Sequence, residues 1–157
     1  MKVTGQTFNS IVMDQTKDVL VEFYSPKCDH CKSFSPIYEA IGEALCEIDS
    51  VVIAQMDATN NDAPPGVITG VGGFPTLLLF PAKQKNKPIE FKGNKNVQEI
   101  LQFIQKKSNN KFALPKLNYA ELNEKLKEAT EKTANQKTHV NKQINPIYKS
   151  SRDRTEL

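Results

Sequence analysis

The chain has 157 residues, 38% of them hydrophobic, enough for one well-buried core with an appendage left over. Its 21 basic and 18 acidic residues are spread along the sequence, and a net charge of +3 so balanced points to neither nucleic acid nor a membrane surface as partner. No stretch approaches the ~20 apolar residues of a bilayer span, and three cysteines are too few for a disulfide-built scaffold, so a cysteine pair here points to chemistry.

In chain order, Lys2 to Thr4 is expected as a short edge strand, and Thr7 to Met13 as a short helix with Phe8, Ile11 and Val12 on one face. Val19 to Tyr24 is apolar except for Glu22, the pattern of a strand buried on both faces. Cys28 to Ile48 carries Phe34, Ile37, Ile41, Leu45 and Ile48 at helical spacing, with Pro36 expected to bend the helix rather than end it. Val51 to Asp57 is the next strand, and strand, helix, strand predicts a right-handed βαβ unit with a parallel pair. Pro64-Pro65-Gly66 limits the next helix to a turn or two. Thr76 to Phe80 and Pro88 to Lys92, either side of a Lys-rich loop, read as an antiparallel hairpin, and Asn96 to Lys107 as a helix with Val97, Ile100, Leu101 and Ile104 inward.

The composition changes at Leu114. Residues 114–157 hold nine basic and six acidic side chains, so this extension carries the whole net charge, and the compact domain is expected to occupy residues 1–113. Asn118 and Glu121 have N-cap and N3 spacing, and Glu121 with Lys125 and Glu128 with Lys132 are i,i+4 pairs, which predicts a helix at about 118–133. Its apolar stripe is Tyr119, Leu122, Leu126 and Ala129. Beyond Asn135 the polar composition favours disorder.

Cys28-Asp29-His30-Cys31 stands where a buried strand gives way to a helix. Two thiols spaced this way at a helix start can close and reopen a disulfide ring, with the outer Cys28 as nucleophile and Cys31, one turn further in, as resolving thiol. Protonated His30 favours the thiolate, while Lys27 and Asp29 flank it with opposite charge and act in opposite senses. Glu22, a carboxylate in an apolar strand, is expected to hold its proton well above the ordinary range and to serve as proton acceptor for Cys31; a strand-end carboxylate escaping to solvent, or one satisfied by a buried Lys, is the alternative. Phe74-Pro75 opens a strand after Gly72-Gly73 and is a candidate cis peptide whose backbone could pair with an extended substrate. No metal or other cofactor is expected: structural zinc needs four ligands, and Cys46, His30 and His139 lack second-knuckle spacing. Cys46 reads as an ordinary semi-exposed side chain with a regulatory or crosslinking role as the alternative.

Val21 to Lys32, followed by Pro36, Met56-Asp57-Ala58-Thr59 and Phe74-Pro75-Thr76, resembles the C-terminal catalytic domains of the protein disulfide isomerase family over about residues 2–107. The resemblance implies an α/β thioredoxin fold, a central mixed β-sheet flanked by helices on both faces, here with a C-terminal helical and disordered extension. It implies Cys28 as attacking thiol, Cys31 as resolving thiol, a redox-active Cys28–Cys31 disulfide, Glu22 as buried proton acceptor and Pro75 as the cis-proline beside the substrate, with Phe74. The family usually has Trp before the first cysteine and Gly after it; Lys27 and Asp29 stand there instead and are expected to tune redox poise and substrate preference. Lys95 stands where the family has an Arg that tunes the second cysteine, and supplies charge without the Arg fork.

The terminal Arg154-Thr155-Glu156-Leu157 is similar to an endoplasmic reticulum retrieval signal. Residues 1–18 do not read as a secretory leader, so the chain is expected to be the C-terminal part of a longer, multidomain protein. The resemblance therefore implies a lumenal disulfide isomerase, with unfolded or misfolded secretory polypeptides, glutathione or a thiol oxidase, and a retrieval receptor as partners. Two alternatives stay open: a cytosolic thioredoxin-like reductant, and a largely non-catalytic chaperone or binding module with a modified site.

Overall fold

The computed structural model describes residues 1–63, 65 and 73–131. The short helix expected near Pro64-Pro65-Gly66, the glycines at 66, 70 and 72, and everything from Lys132 onward, His139 and the Arg154 to Leu157 terminus included, lie outside the described residues.

Five strands form one sheet, β1 (Lys2–Val3), β2 (Asp18–Tyr24), β3 (Val51–Asp57), β4 (Thr76–Phe80) and β5 (Ile89–Glu90), in the order β1-β3-β2-β4-β5. β3 pairs parallel with both β1 and β2, whereas β4 pairs antiparallel with β2 and β5, so the sheet is mixed. β2 occupies the centre because its Val, Leu and Phe side chains suit a strand covered on both faces. Val19, Leu20, Val21 and Phe23 are all sealed from solvent.

Alternation along β2 sends successive residues to opposite faces. Val19, Val21 and Phe23 join Phe8 and Val12, from and just after α1 (Phe8–Ile11), in one cluster with Ala54, Met56 and Phe80. Leu20 and Glu22 face the other side, where α2 (Asp29–Ala44) and α3 (Val97–Lys107) pack against each other. Helices thus cover both faces, as the resemblance implies. α3 is capped as its sequence predicts, with Asn96 Oδ1 accepting from Glu99 N at 2.9 Å, and its four expected inward residues are buried.

Three elements are shorter than their sequence patterns. α1 is a single turn, and β5 holds two residues, although Phe91 N still donates to Leu77 O at 3.0 Å. α2 runs through Pro36, which has no N–H to give Lys32, and stops at Ala44 rather than Ile48. Leu45 leaves helical geometry, and the chain tightens into three-residue turns, Cys46 N to Glu43 O and Ile48 N to Leu45 O. Tyr38, outside the apolar stripe read from the sequence, is buried, and its hydroxyl donates to the carbonyls of Leu20 and Ala54, tying α2 to β2 and β3.

A second buried polar group anchors the end of β2 remote from Cys28. Asp18 is fully buried and accepts from the backbone N–H groups of Ala82 (2.8 Å), Asn109 (2.9 Å) and Asn110 (3.0 Å). Lys85 belongs to the Lys-rich loop before β5, yet it is buried, and its ammonium donates to Lys17 O and Phe80 O at 2.6 and 2.9 Å. Burial lowers its pKa to about 8 against the opposing pull of Asp18 and Asp14. The chain divides into a unit of Met1–Tyr119 and a second starting at Ala120. Residues 119–131 are helical, with Lys125 and Glu121 paired at 3.0 Å on an exposed face.

Candidate active site

β2 ends at Tyr24, and the Ser25-Pro26-Lys27 turn delivers Cys28 to the N-cap of α2 in extended geometry (φ −84°, ψ 118°). Cys28 N donates to Ser25 O at 3.1 Å, closing the turn, while Cys28 Sγ accepts from Cys31 N at 3.2 Å. The sulfur thus takes the place a Ser or Asp oxygen takes at an ordinary N-cap. A thiolate there is met by an N–H donor and by the positive end of the helix. Cys28 is half-buried, whereas Cys31 is 6% exposed. Both thiols are reduced in the structure, as is the exposed Cys46 just past the end of α2.

Asymmetry between the two thiols has a physical cause. Burial raises the Cys31 thiol to about 11, helped by its contact with Cys28 and by the nearby Glu22 carboxyl, against a lowering contact from the Ser25 backbone. Cys31 is therefore a protonated reserve thiol at neutral pH. Glu22, two residues before the end of β2, is 3% exposed, and desolvation raises its pKa to about 7. Its Oε2 is buried without a hydrogen-bond partner. The alternative of a carboxylate escaping to solvent is excluded by that burial. A carboxyl in this state exchanges a proton near neutrality, as an acceptor for Cys31 requires.

The Phe74–Pro75 peptide is cis, as its sequence setting suggests. It brings the Phe74 carbonyl to 3.6 Å from Cys28 Sγ, with the thiol as donor. A residue 46 positions away in sequence thus presents backbone directly beside the outer thiol. Lys27, Asp29 and His30 are exposed around Cys28. Lys95 is exposed in the loop before α3, and among the described residues it is not one of the groups acting on the Cys31 thiol. Sequence reasoning placed Glu22, Cys28, Cys31, Phe74 and Pro75, which the fold brings together. It missed Tyr38, which lies on the same face as Glu22 and whose hydroxyl is pushed up by burial and by that carboxyl. An aromatic residue four positions after Phe34 was its signal, since the two rings meet at a tilt in one helical row, their centroids 5.7 Å apart.

Comparison with known proteins places these features in a family. Residues 1–106 match the family described as Thioredoxin. Over 115 residues, 71% of this chain, the sequence is 42% identical to a protein disulfide-isomerase of Humicola insolens, of which the match covers 22%. It is 46% identical over 105 residues to a probable protein disulfide-isomerase A4 of Caenorhabditis elegans, covering 66% of this chain and 17% of that protein. The chain thus spans about a fifth of the length of the curated relatives it matches. The solution structure of the first thioredoxin domain of mouse protein disulfide-isomerase A4 superposes with a TM-score of 0.59 at 30% identity, covering 73% of this chain and 79% of that one.

Proposed function

The chain belongs to the thioredoxin family, with a domain of the protein disulfide isomerase type, and on that premise we propose that it catalyses thiol–disulfide exchange in folding secretory polypeptides. The observation that carries the reading is the pairing of unlike thiols over a buried acid. Cys28 is half-exposed at a helix N-cap, Cys31 is buried and protonated one turn below it, and Glu22 is poised near neutrality on the adjoining strand. The Cys28 thiolate attacks a client disulfide and forms a mixed disulfide, releasing one client thiolate, which takes a proton from water. Cys31 then gives its proton to Glu22 and attacks Cys28 Sγ, closing the Cys28–Cys31 disulfide and releasing the second client sulfur as a thiolate, which takes a proton from water. The client is reduced and the pair oxidised; the reverse sequence oxidises a client.

Phe74 and Pro75 supply the backbone against which an extended client segment lies, since the Phe74 carbonyl already faces the outer sulfur. Lys27, Asp29 and His30 bias which clients are favoured by placing charge around Cys28, and Lys95 adds a cation on the loop before α3. The likeness of Arg154-Thr155-Glu156-Leu157 to a retrieval signal suits a working place in the endoplasmic reticulum lumen, with glutathione or a thiol oxidase resetting the pair and a retrieval receptor as a further partner. The test is rescue of a small secreted enzyme with scrambled disulfides in a glutathione buffer. The full chain is expected to restore native pairing well above the buffer alone and Cys28→Ala to lose that gain; equal rescue by both would overturn the reading.

A further inference from the structure

A proton taken up by Glu22 must leave again before the next turnover, and most of its surroundings are closed. At its level in the sheet, Leu77 on β4 is 1% exposed and apolar. From α2, Cys31 and Tyr38 cover it, and the Tyr38 hydroxyl is turned to the Leu20 and Ala54 carbonyls. Tyr24 follows it on the same face of β2, half-buried. Among the described residues, the neighbour of Glu22 on β3 is Gln55, in register with it in the parallel pair. Adjacent strands are about 4.8 Å apart and paired residues share a face, so the carboxamide and the carboxyl start from neighbouring Cα atoms on the α2 side.

That side of β3 is open. Ala54 and Met56 on its other face are sealed, whereas Ile53 and Gln55 are only half-buried. Between α2 and β3 runs a groove of about 570 Å³, lined by Ser35, Tyr38 and Glu39 on the helix and by Ile53 and Gln55 on the strand, with Glu43 further along α2. Water has ample room in it and polar partners to hold it. Gln55 is the groove-lining residue that stands in register with Glu22.

We propose that Gln55 is a positioning residue for the exchange reaction: its carboxamide links the buried Glu22 carboxyl to water in the α2–β3 groove, and the proton taken from Cys31 leaves by that route. A carboxamide suits the task because its oxygen accepts from the protonated carboxyl and its NH2 donates to the ionised one. Being neutral, it does so without the pull on the proton that a cation would exert. In the step concerned, Cys31 loses its proton to Glu22, its sulfur bonds to Cys28 Sγ, the Cys28 to client S–S bond breaks with the client sulfur leaving as a thiolate that is protonated by solvent, and Glu22 passes its proton through Gln55-bound water to solvent. The inference rests on the exchange reading above.

The test follows ring closure in the full chain mixed with oxidised glutathione, quenched in acid across pH 5.5 to 9 and resolved by peptide mass into the Cys28–glutathione mixed disulfide and the closed Cys28–Cys31 form. In Gln55→Met, of similar volume, closure is expected to slow at least tenfold relative to mixed-disulfide formation near pH 7, with the midpoint of its pH profile moved. Gln55→Asn should recover most of the rate. In a Glu22→Gln background, Gln55→Met should add nothing. Unchanged closure and profile in Gln55→Met, or the same slowing with Glu22 already removed, would overturn the role of Gln55 while leaving exchange intact. Failure of the unaltered chain to form the Cys28–glutathione adduct would overturn the exchange reading and this inference with it.

Discussion

Replacing Glu22 by Gln should stabilise the fold in a pH-dependent way whose size follows from burial. The carboxyl is 3% exposed, and desolvation moves its pKa from 4.5 to about 7. At about 1.36 kcal/mol per pH unit, holding it ionised in the folded state costs about 3 kcal/mol. Below pH 4.5 it is protonated in both states and costs nothing. Between 4.5 and about 7 the unfolded chain releases the proton while the folded chain keeps it, so stability falls as pH rises, and above about 7 the full cost is present. Gln has a similar shape and no titration, so any fixed cost of the amide cancels in the comparison across pH. Urea unfolding of the two proteins from pH 4 to 8.5 reads the effect. The advantage of Glu22→Gln should grow by about 3 kcal/mol over that range, most of it between pH 5 and 7. An advantage that stays flat within about 0.5 kcal/mol would refute the claim that Glu22 titrates in a desolvated site.

Other consequences can be checked on the same material. Because Cys31 is buried and its thiol is pushed up to about 11, brief alkylation of the reduced chain at pH 8 should label Cys28 and leave Cys31 unmodified until denaturant is added, as read by peptide mass. Asp18→Ala leaves one buried and two part-buried backbone N–H donors without their acceptor and should cost about 2–3 kcal/mol in urea unfolding, the Ala82 to Asn110 region losing amide-exchange protection first. Tyr38→Phe removes the hydroxyl that bridges Leu20 O and Ala54 O and should cost about 1–2 kcal/mol while leaving the alkylation rate of Cys28 within about twofold.

The sequence was most informative where structure is local. The β-branched and aromatic run of β2, the capped and amphipathic α3, and the placement of Cys28 at a helix start are each written within a dozen residues, and the fold agrees with all of them. Glu22 was legible too, because one carboxylate in a run that must be buried has nowhere else to go. What escaped depends on tertiary neighbours. Lys85 sits in a Lys-rich loop with no local pattern to single it out; only folding brings Lys17 O, 68 residues away, to its ammonium. Asp18 lies just before the strand expected from Val19, and only the fold brings the N–H groups of Asn109 and Asn110, more than 90 positions on, to its carboxylate. Tyr38 was passed over by an apolar-stripe criterion that gives an amphipathic ring no weight. The α2 terminus was overrun because Ile48 continues the helical period after the backbone has already turned at Leu45. In the site itself, the approach of the Phe74 carbonyl to Cys28 and the register of Gln55 with Glu22 are properties of strand pairing and chain return, which no local pattern encodes.

The central claim is that Cys28 attacks and Cys31 resolves, and covalent trapping tests it most directly. Each single-cysteine variant of the full chain is incubated with a disulfide-containing unfolded client and quenched in acid, and adducts are identified by mass. Cys31→Ala should accumulate a chain–client mixed disulfide mapped to Cys28, while Cys28→Ala forms none. Equal trapping by both variants, or an adduct mapped to Cys31 or Cys46, would contradict the order of attack and with it the account of the site.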